Sequence, residues 1–123
     1  MLYLTFILAI SLSAFSSTAI KLTEKDSGRT LEMRVGEFLE VVLRGNPTTG
    51  YIWSMAAPDN GIIQKVGESK FEPDRQSRGS GGDTILRFKA VDVGETLLKL
   101  IYHRPFEKEK PPINSFEIRI IVK

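Results

Sequence analysis

Apolar and polar side chains alternate along most of the chain beyond residue 30. In the first such segment, Leu31, Met33 and Val35 alternate with Glu32 and Arg34. Side chains of a β-strand point alternately to the two faces of a sheet, so this period of two predicts a strand with one buried face. A weaker form of the pattern, interrupted by glycine, predicts a strand in residues 62–71. The clear form predicts further strands in residues 38–44, 51–55, 86–90, 98–102 and 116–122.

Turn residues separate these predicted strands, and no segment shows a convincing helical repeat. Short strands at regular intervals are typical of sandwiches, so we predict an all-β fold, an immunoglobulin-like antiparallel β-sandwich of about seven strands in residues 20–123. The cysteine pair of true immunoglobulin domains is absent. Trp53 on the third predicted strand is therefore interpreted as a core residue.

The first 19 residues form a separate segment without charged side chains. An apolar run over residues 2–10 is followed by small and polar residues, and Ser17 and Ala19 suit the −3 and −1 positions of a signal-peptide cleavage site. The alternative is an uncleaved membrane anchor, but the run is shorter than the roughly 20 residues that a helical span needs. We therefore predict a signal peptide at residues 1–19. The mature chain would start at Ile20, without membrane attachment, and would be secreted, periplasmic or vesicular.

Composition limits the chemistry available to this domain. The 123 residues are 41% hydrophobic and 26% charged, which suits one domain with a substantial core. The formal net charge is only +2 and no basic block occurs, so electrostatics give no case for nucleic acid as a partner. The absence of cysteine excludes disulfides and a thiolate nucleophile. Since His103 is the single histidine, we expect no metal site, and nothing in the chain calls for a cofactor.

The predicted connections differ at the two ends of the sandwich. If each strand runs opposite to its predecessor, successive connections alternate between the ends. The first, third and fifth are tight turns at Gly36, residues 58–61 and residues 92–95. The second, fourth and sixth connections then lie together at the other end. They are the NPTTG loop (residues 46–50), the glycine loop (residues 72–82) and the RPF loop (residues 104–113). Since loops on a rigid scaffold commonly carry function, we predict that this end is the functional one.

Catalysis at this end has weak support in the sequence. Thr48 or Thr49 with His103 as a base would suit a hydrolase, and a Thr-His-Asp triad stays open, but the Gly-x-Ser-x-Gly context of a nucleophile elbow is missing. The glycine run at residues 79–82 lacks the lysine and the helix that a phosphate-binding loop requires. Glycine for close approach, proline for stiffness and exposed aromatic residues favour protein binding instead.

Three motifs in these loops resemble those of the chagasin family of cysteine peptidase inhibitors. They are NPTTG followed by an aromatic residue, a glycine run, and RPF, in the family's order and with suitable spacing. Many members have tryptophan where this chain has Phe106. Phenylalanine keeps an aromatic ring at this position but lacks the indole N–H donor of tryptophan. The matching residues are Asn46, Pro47, Thr48, Thr49, Gly50 and Tyr51, then Gly79, Ser80, Gly81 and Gly82, then Arg104, Pro105 and Phe106.

The resemblance implies a fold, an activity and a partner. Family members are reversible, tight-binding inhibitors of papain-like cysteine peptidases with an immunoglobulin-like sandwich, whose motif loops enter or flank the active-site cleft. This chain would then be a monomeric inhibitor rather than an enzyme, and its motif residues would contact the peptidase. From the residues alone, a secreted immunoglobulin-like adhesion or ligand-binding module remains the alternative.

Overall fold

The computed structural model describes residues 18–57, 60–75 and 81–123. Residues 1–17 lie outside it, so the signal peptide stays a prediction. Within the described ranges no helix is long and apolar enough to cross a membrane, and the only helices are short 3-10 turns at Glu24–Asp26 and Pro47–Thr49. The strands are β1 Ile20–Thr23, β2 Thr30–Met33, β3 Phe38–Gly45, β4 Ile52–Met55, β5 Ile63–Lys65, β6 Lys70–Pro73, β7 Gly82–Ala90, β8 Gly94–His103 and β9 Asn114–Val122.

The strands form two sheets around one apolar core. The first sheet has the order β1, β3, β7, with β5 and β6 both along the other side of β7, and the second has the order β2, β9, β8, β4. Inward side chains of both sheets, such as Leu39, Phe88 and Phe116, are fully buried. No described polar or charged residue is buried, so apolar packing holds the domain together. The predicted all-β sandwich is confirmed.

The strand pairing is mixed rather than antiparallel throughout. Five of the seven pairs of described strands are antiparallel, but β1 runs parallel to β3 and β2 runs parallel to β9. The chain passes from β1 in the first sheet to β2 in the second sheet and then back to β3 in the first. Because it reverses direction at each of these two passages, β1 and β3 run in the same direction. Alternation fixes which face of a strand is buried but does not identify the strand's neighbour.

The strand count also exceeds the predicted seven. β1 has only two inward apolar residues and directly follows the predicted signal segment, so its pattern was too short to be recognised. The segment predicted as one strand over residues 62–71 divides into β5 and β6, which are separated around Gly67. Both pieces pair with β7.

The described ends of the NPTTG, glycine and RPF loops lie at one end of the sandwich, as predicted. Gly45 at the end of β3 pairs with Gly82 at the start of β7, and Ile52 at the start of β4 pairs with His103 at the end of β8. These pairings bring the NPTTG, glycine and RPF loops side by side. The glycine loop is shorter than predicted, because β6 continues to Pro73 and β7 already begins at Gly82.

Candidate functional site

The NPTTG loop is a single turn of 3-10 helix with a cap at each end. The Asn46 side chain accepts a hydrogen bond from the Thr48 backbone N–H at 3.2 Å, which caps the first turn. Pro47 occupies the first helical position, where no N–H is needed. Gly50 closes the turn in the left-handed conformation with φ of 88°. The sequence Asn-Pro-Thr-Thr-Gly therefore specifies this loop through local hydrogen bonds.

The two threonine hydroxyls in this exposed loop are already engaged within it. Thr48 Oγ1 donates to the Asn46 side-chain oxygen at 2.6 Å, and Thr49 Oγ1 donates to the Asn46 carbonyl at 2.6 Å. Both hydroxyl protons therefore form hydrogen bonds within the loop and stiffen it. A partner would meet the exposed threonine surfaces and the remaining lone pairs of the hydroxyl oxygens.

Arg104 connects the RPF loop to the NPTTG loop. Its Nε donates to the Thr49 carbonyl at 3.0 Å, and its guanidinium lies 4.4 Å from the centre of the Tyr51 ring. Glu107 accepts from the other end of the guanidinium at 3.4 Å. Arg104 is only partly exposed, so much of its bonding capacity serves the protein itself. The structure thus gives this motif residue a supporting role that the sequence did not reveal.

Phe106 is exposed to solvent beside the contact between Arg104 and the NPTTG loop. Its side chain is 69% exposed, the largest value among the exposed large apolar residues of the described chain. The ring lies close to Gly50, where an added Cβ would come within 3.2 Å of it. The structure thus leaves Phe106 exposed at the end of the sandwich that carries the three loops, and the absence of a side chain at Gly50 leaves space for its ring. Its contact with a peptidase stays a prediction.

Tyr102 supports the same end from beneath. Its hydroxyl accepts a hydrogen bond from the Asn46 backbone N–H at 2.9 Å. Its ring lies 5.3 Å from that of Tyr51 and 5.0 Å from that of Trp53, which is buried as predicted. Sequence reasoning placed Tyr102 on a strand but gave it no role. The sequence does contain one signal for this supporting role. A tyrosine near the end of a half-buried strand needs a hydrogen-bond partner for its hydroxyl, and the adjoining loops can supply one.

The glycine loop touches the base of the NPTTG loop through its last residues. Gly81 has φ of 97° and is buried, and an added Cβ there would lie 2.8 Å from the Gly45 carbonyl oxygen. Only glycine allows this backbone approach without a shift. Gly82 is also buried, as the first residue of β7. Gly79 and Ser80, the other predicted contact residues of this loop, lie outside the described residues.

A charged cluster holds the start of the glycine loop. Arg44 near the end of β3 makes ion pairs with Asp74 at 2.6 Å and Asp83 at 3.0 Å. These hydrogen bonds hold the pKa of the Asp74 carboxyl below its ordinary value and raise that of the arginine. No motif residue belongs to this cluster.

The described residues provide no Thr-His pair. His103 Nε2 lies 2.7 Å from Ser54 Oγ on the neighbouring strand, while the Thr48 and Thr49 hydroxyls bond to Asn46. In the same ranges no group of histidine, aspartate and glutamate side chains is placed to hold a metal ion. Among the described residues, this end therefore provides adjoining loops without the hydrolase pair that the sequence left open.

The chain is similar to known proteins along most of its length. Residues 32–120 match the model of the chagasin family of peptidase inhibitors, I42. The chain is 32% identical to Amoebiasin-2 of Entamoeba histolytica over 103 residues, which are 83% of this chain and 84% of that protein. It is also 32% identical to chagasin of Trypanosoma cruzi over 91 residues, which are 70% of this chain and 82% of that protein.

Solved structures agree with these sequence matches. A crystal structure of a cysteine protease inhibitor from Entamoeba histolytica has a TM-score of 0.75 and 30% identity, covering 85% of this chain and 96% of that one. The inhibitor PbICP-C, solved in complex with falcipain-2, has a TM-score of 0.53 and 25% identity, covering 91% of this chain and 96% of that one.

Proposed function

The chain belongs to the chagasin family of cysteine peptidase inhibitors, and from this premise we propose that it blocks papain-like peptidases by seating its three loops in and around the active-site cleft. Membership of the family favours the inhibitor over the adhesion module and over a hydrolase. The complex of PbICP-C with falcipain-2 supports a papain-like peptidase as the partner.

One observation carries the proposed binding mode: the NPTTG loop is held from both sides by the other two loops. Arg104 reaches the Thr49 carbonyl from the RPF loop, and Gly81 packs on the Gly45 carbonyl from the glycine loop. The Asn46 N–H is fixed from below by Tyr102. The described parts of the three loops therefore form one preformed surface, which reduces the ordering cost of binding.

The central loop suits a cleft that contains a reactive cysteine. In such peptidases a thiolate paired with an imidazolium attacks the carbonyl of an extended substrate. The 3-10 turn at Pro47–Thr49 is capped and compact, so its backbone carbonyls are not presented in the extended form that substrates adopt. In our proposal this turn fills the cleft and excludes substrate without being cleaved. The glycine and RPF loops contact the two sides of the cleft, with Phe106 and Tyr51 as aromatic anchors.

We further propose that the protein acts after export, in a secreted, periplasmic or vesicular compartment. The apolar segment at residues 2–10 and the small residues before Ile20 support a cleaved signal. In the described structure β1 begins at Ile20, so a cut after Ala19 would remove no residue of the sandwich.

The cleft-filling mode can be tested by competition. Papain with its cleft filled by a covalent peptidyl inhibitor should not bind the protein measurably, whereas free papain should bind it tightly. Equal binding to the free and the blocked enzyme would show that the protein attaches elsewhere on the peptidase. Heat-unfolded papain serves as the control for nonspecific association.

A further inference from the structure

The charged cluster of Arg44, Asp74 and Asp83 lies outside the family motifs but next to two of the loops that carry them. Both Asp74 oxygens accept hydrogen bonds from the Arg44 guanidinium, at 2.6 Å from Nη2 and 3.0 Å from Nη1. Asp83 Oδ1 accepts a third at 3.0 Å. Asp83 is the cross-strand partner of Arg44 in the sheet, whereas Asp74 is the first residue beyond β6. One guanidinium therefore bridges the strand that leads into the NPTTG loop and the start of the glycine loop.

We propose that Arg44 is a positioning residue for inhibition, which holds Asp74 and with it the two ends of the glycine loop in place beside the NPTTG loop. This inference rests on the proposed function, because it assigns Arg44 no contact with the peptidase. Arg44 acts instead through the placement of residues that make contact.

The backbone of Arg44 is anchored well enough for this task. Its N–H donates to a Glu24 carboxylate oxygen at 3.2 Å, and its carbonyl accepts from the buried Trp53 indole at 2.9 Å. At the other side of the bridge, the Asp74 N–H donates to the Gly81 carbonyl at 3.0 Å. Fixing Asp74 therefore also fixes Gly81, which packs against the base of the NPTTG loop.

The cluster is better suited to orienting a loop than to stabilising the fold. Its side chains are 41–50% exposed, and ion pairs at this exposure contribute little to the free energy of folding. A bidentate arginine–carboxylate pair does fix a relative orientation. Without the guanidinium, Asp74 and Asp83 would face each other as like charges, with Glu72 opposite Asp83 on β6. Repulsion would then move the loop away from β7.

The chain offers a matched control on the same pair of strands. Arg87 of β7 forms an ion pair with its cross-strand partner Glu40 at 3.2 Å. Glu40 lies on β3, four residues before Arg44. Arg44→Gln and Arg87→Gln each remove one cross-strand arginine–carboxylate pair. Only Arg44→Gln also releases the glycine loop.

The test combines dissociation rates with hydrogen exchange. Dissociation from papain should be about fivefold faster for Arg44→Gln than for the parent and unchanged for Arg87→Gln, with similar melting temperatures for all three. The dissociation rate of Arg44→Lys should lie between those of the parent and Arg44→Gln. Lysine keeps the positive charge but cannot form the two parallel hydrogen bonds that the guanidinium makes to a carboxylate. The Asp74 amide of the free protein should exchange faster in Arg44→Gln alone.

Two results would overturn the inference while leaving the proposed function intact. One is a parent that inhibits papain together with an Arg44→Gln variant that dissociates no faster than Arg87→Gln. The other is faster dissociation without any change in Asp74 exchange, which would place Arg44 in direct contact with the peptidase. A parent that inhibits no papain-like peptidase would overturn the proposed function and this inference together.

Discussion

Phe106 provides the sharpest test of the binding surface at the scale of one residue. Phe106 is 69% exposed although its ring lies close to Gly50 of the NPTTG loop, so most of its apolar area is available to a partner. Truncating such an aromatic anchor commonly costs about 2 kcal/mol or more. We expect Phe106→Ala to weaken inhibition roughly tenfold or more, through faster dissociation and at an unchanged melting temperature.

Two companion variants separate binding from folding at this position. Phe106→Trp should inhibit at least as well as the parent, because the family resemblance implies that tryptophan fits the same place. Leu97→Ala is the control, since Leu97 is also exposed, at 54%, but lies on β8 away from the loops. A lower melting temperature for Phe106→Ala without faster dissociation would show that the ring serves the fold.

Gly50 gives a second prediction at this scale, with Gly36 as its matched control. Both have positive φ, 88° and 96°, so alanine at either position should cost about 1 kcal/mol of folding free energy. An added Cβ at Gly36 meets no atom within 4 Å, whereas one at Gly50 comes within 3.2 Å of the Phe106 ring. We therefore expect similar melting temperatures for the two alanine variants and weaker inhibition by Gly50→Ala alone. Equal inhibition constants would remove the contact between Gly50 and Phe106 from the binding surface.

At the scale of elements, the sequence predicted loops better than the contacts between them. Alternation located most strands, and the residues of the NPTTG loop specify its turn, because both depend on near neighbours. The Tyr102 hydroxyl on Asn46 and the Arg44 guanidinium on Asp74 join residues 56 and 30 positions apart. Such contacts depend on strand register and on which strands become neighbours. Alternation alone determines neither.

The cluster at the glycine loop also makes a prediction about pH. Hydrogen bonds from Arg44 hold the pKa of Asp74 below its ordinary value of 3.8, while Asp83 shares the same guanidinium. The contact is therefore present above pH 3.8 and is lost as the pH falls through the lower, folded-state pKa. Carboxyl NMR titration should show Asp74 titrating below 3.8 in the parent and returning toward that value in Arg44→Gln. Identical titration curves in the two proteins would contradict the bridge.

At the scale of the whole molecule, the first described strand begins directly after the predicted cleavage site. Ile20 is the first residue of β1 and pairs with Leu39 of β3. We expect export to give a mature chain that begins at Ile20, with the sandwich complete. Mass spectrometry of the exported protein measures this directly. A membrane-bound product that retains Met1 would show that residues 1–19 are an anchor.

The central claim is that the sandwich presents three joined loops as an uncleaved plug for a papain-like peptidase. Its most direct test is a titration of papain with residues 20–123, following turnover of a small substrate and analysing the inhibitor afterwards by mass spectrometry. We expect the activity to fall to zero at one equivalent and to return on dilution, with the inhibitor chain intact. Undiminished activity across several papain-like peptidases, or inhibition accompanied by cleavage within residues 46–51, would contradict the claim.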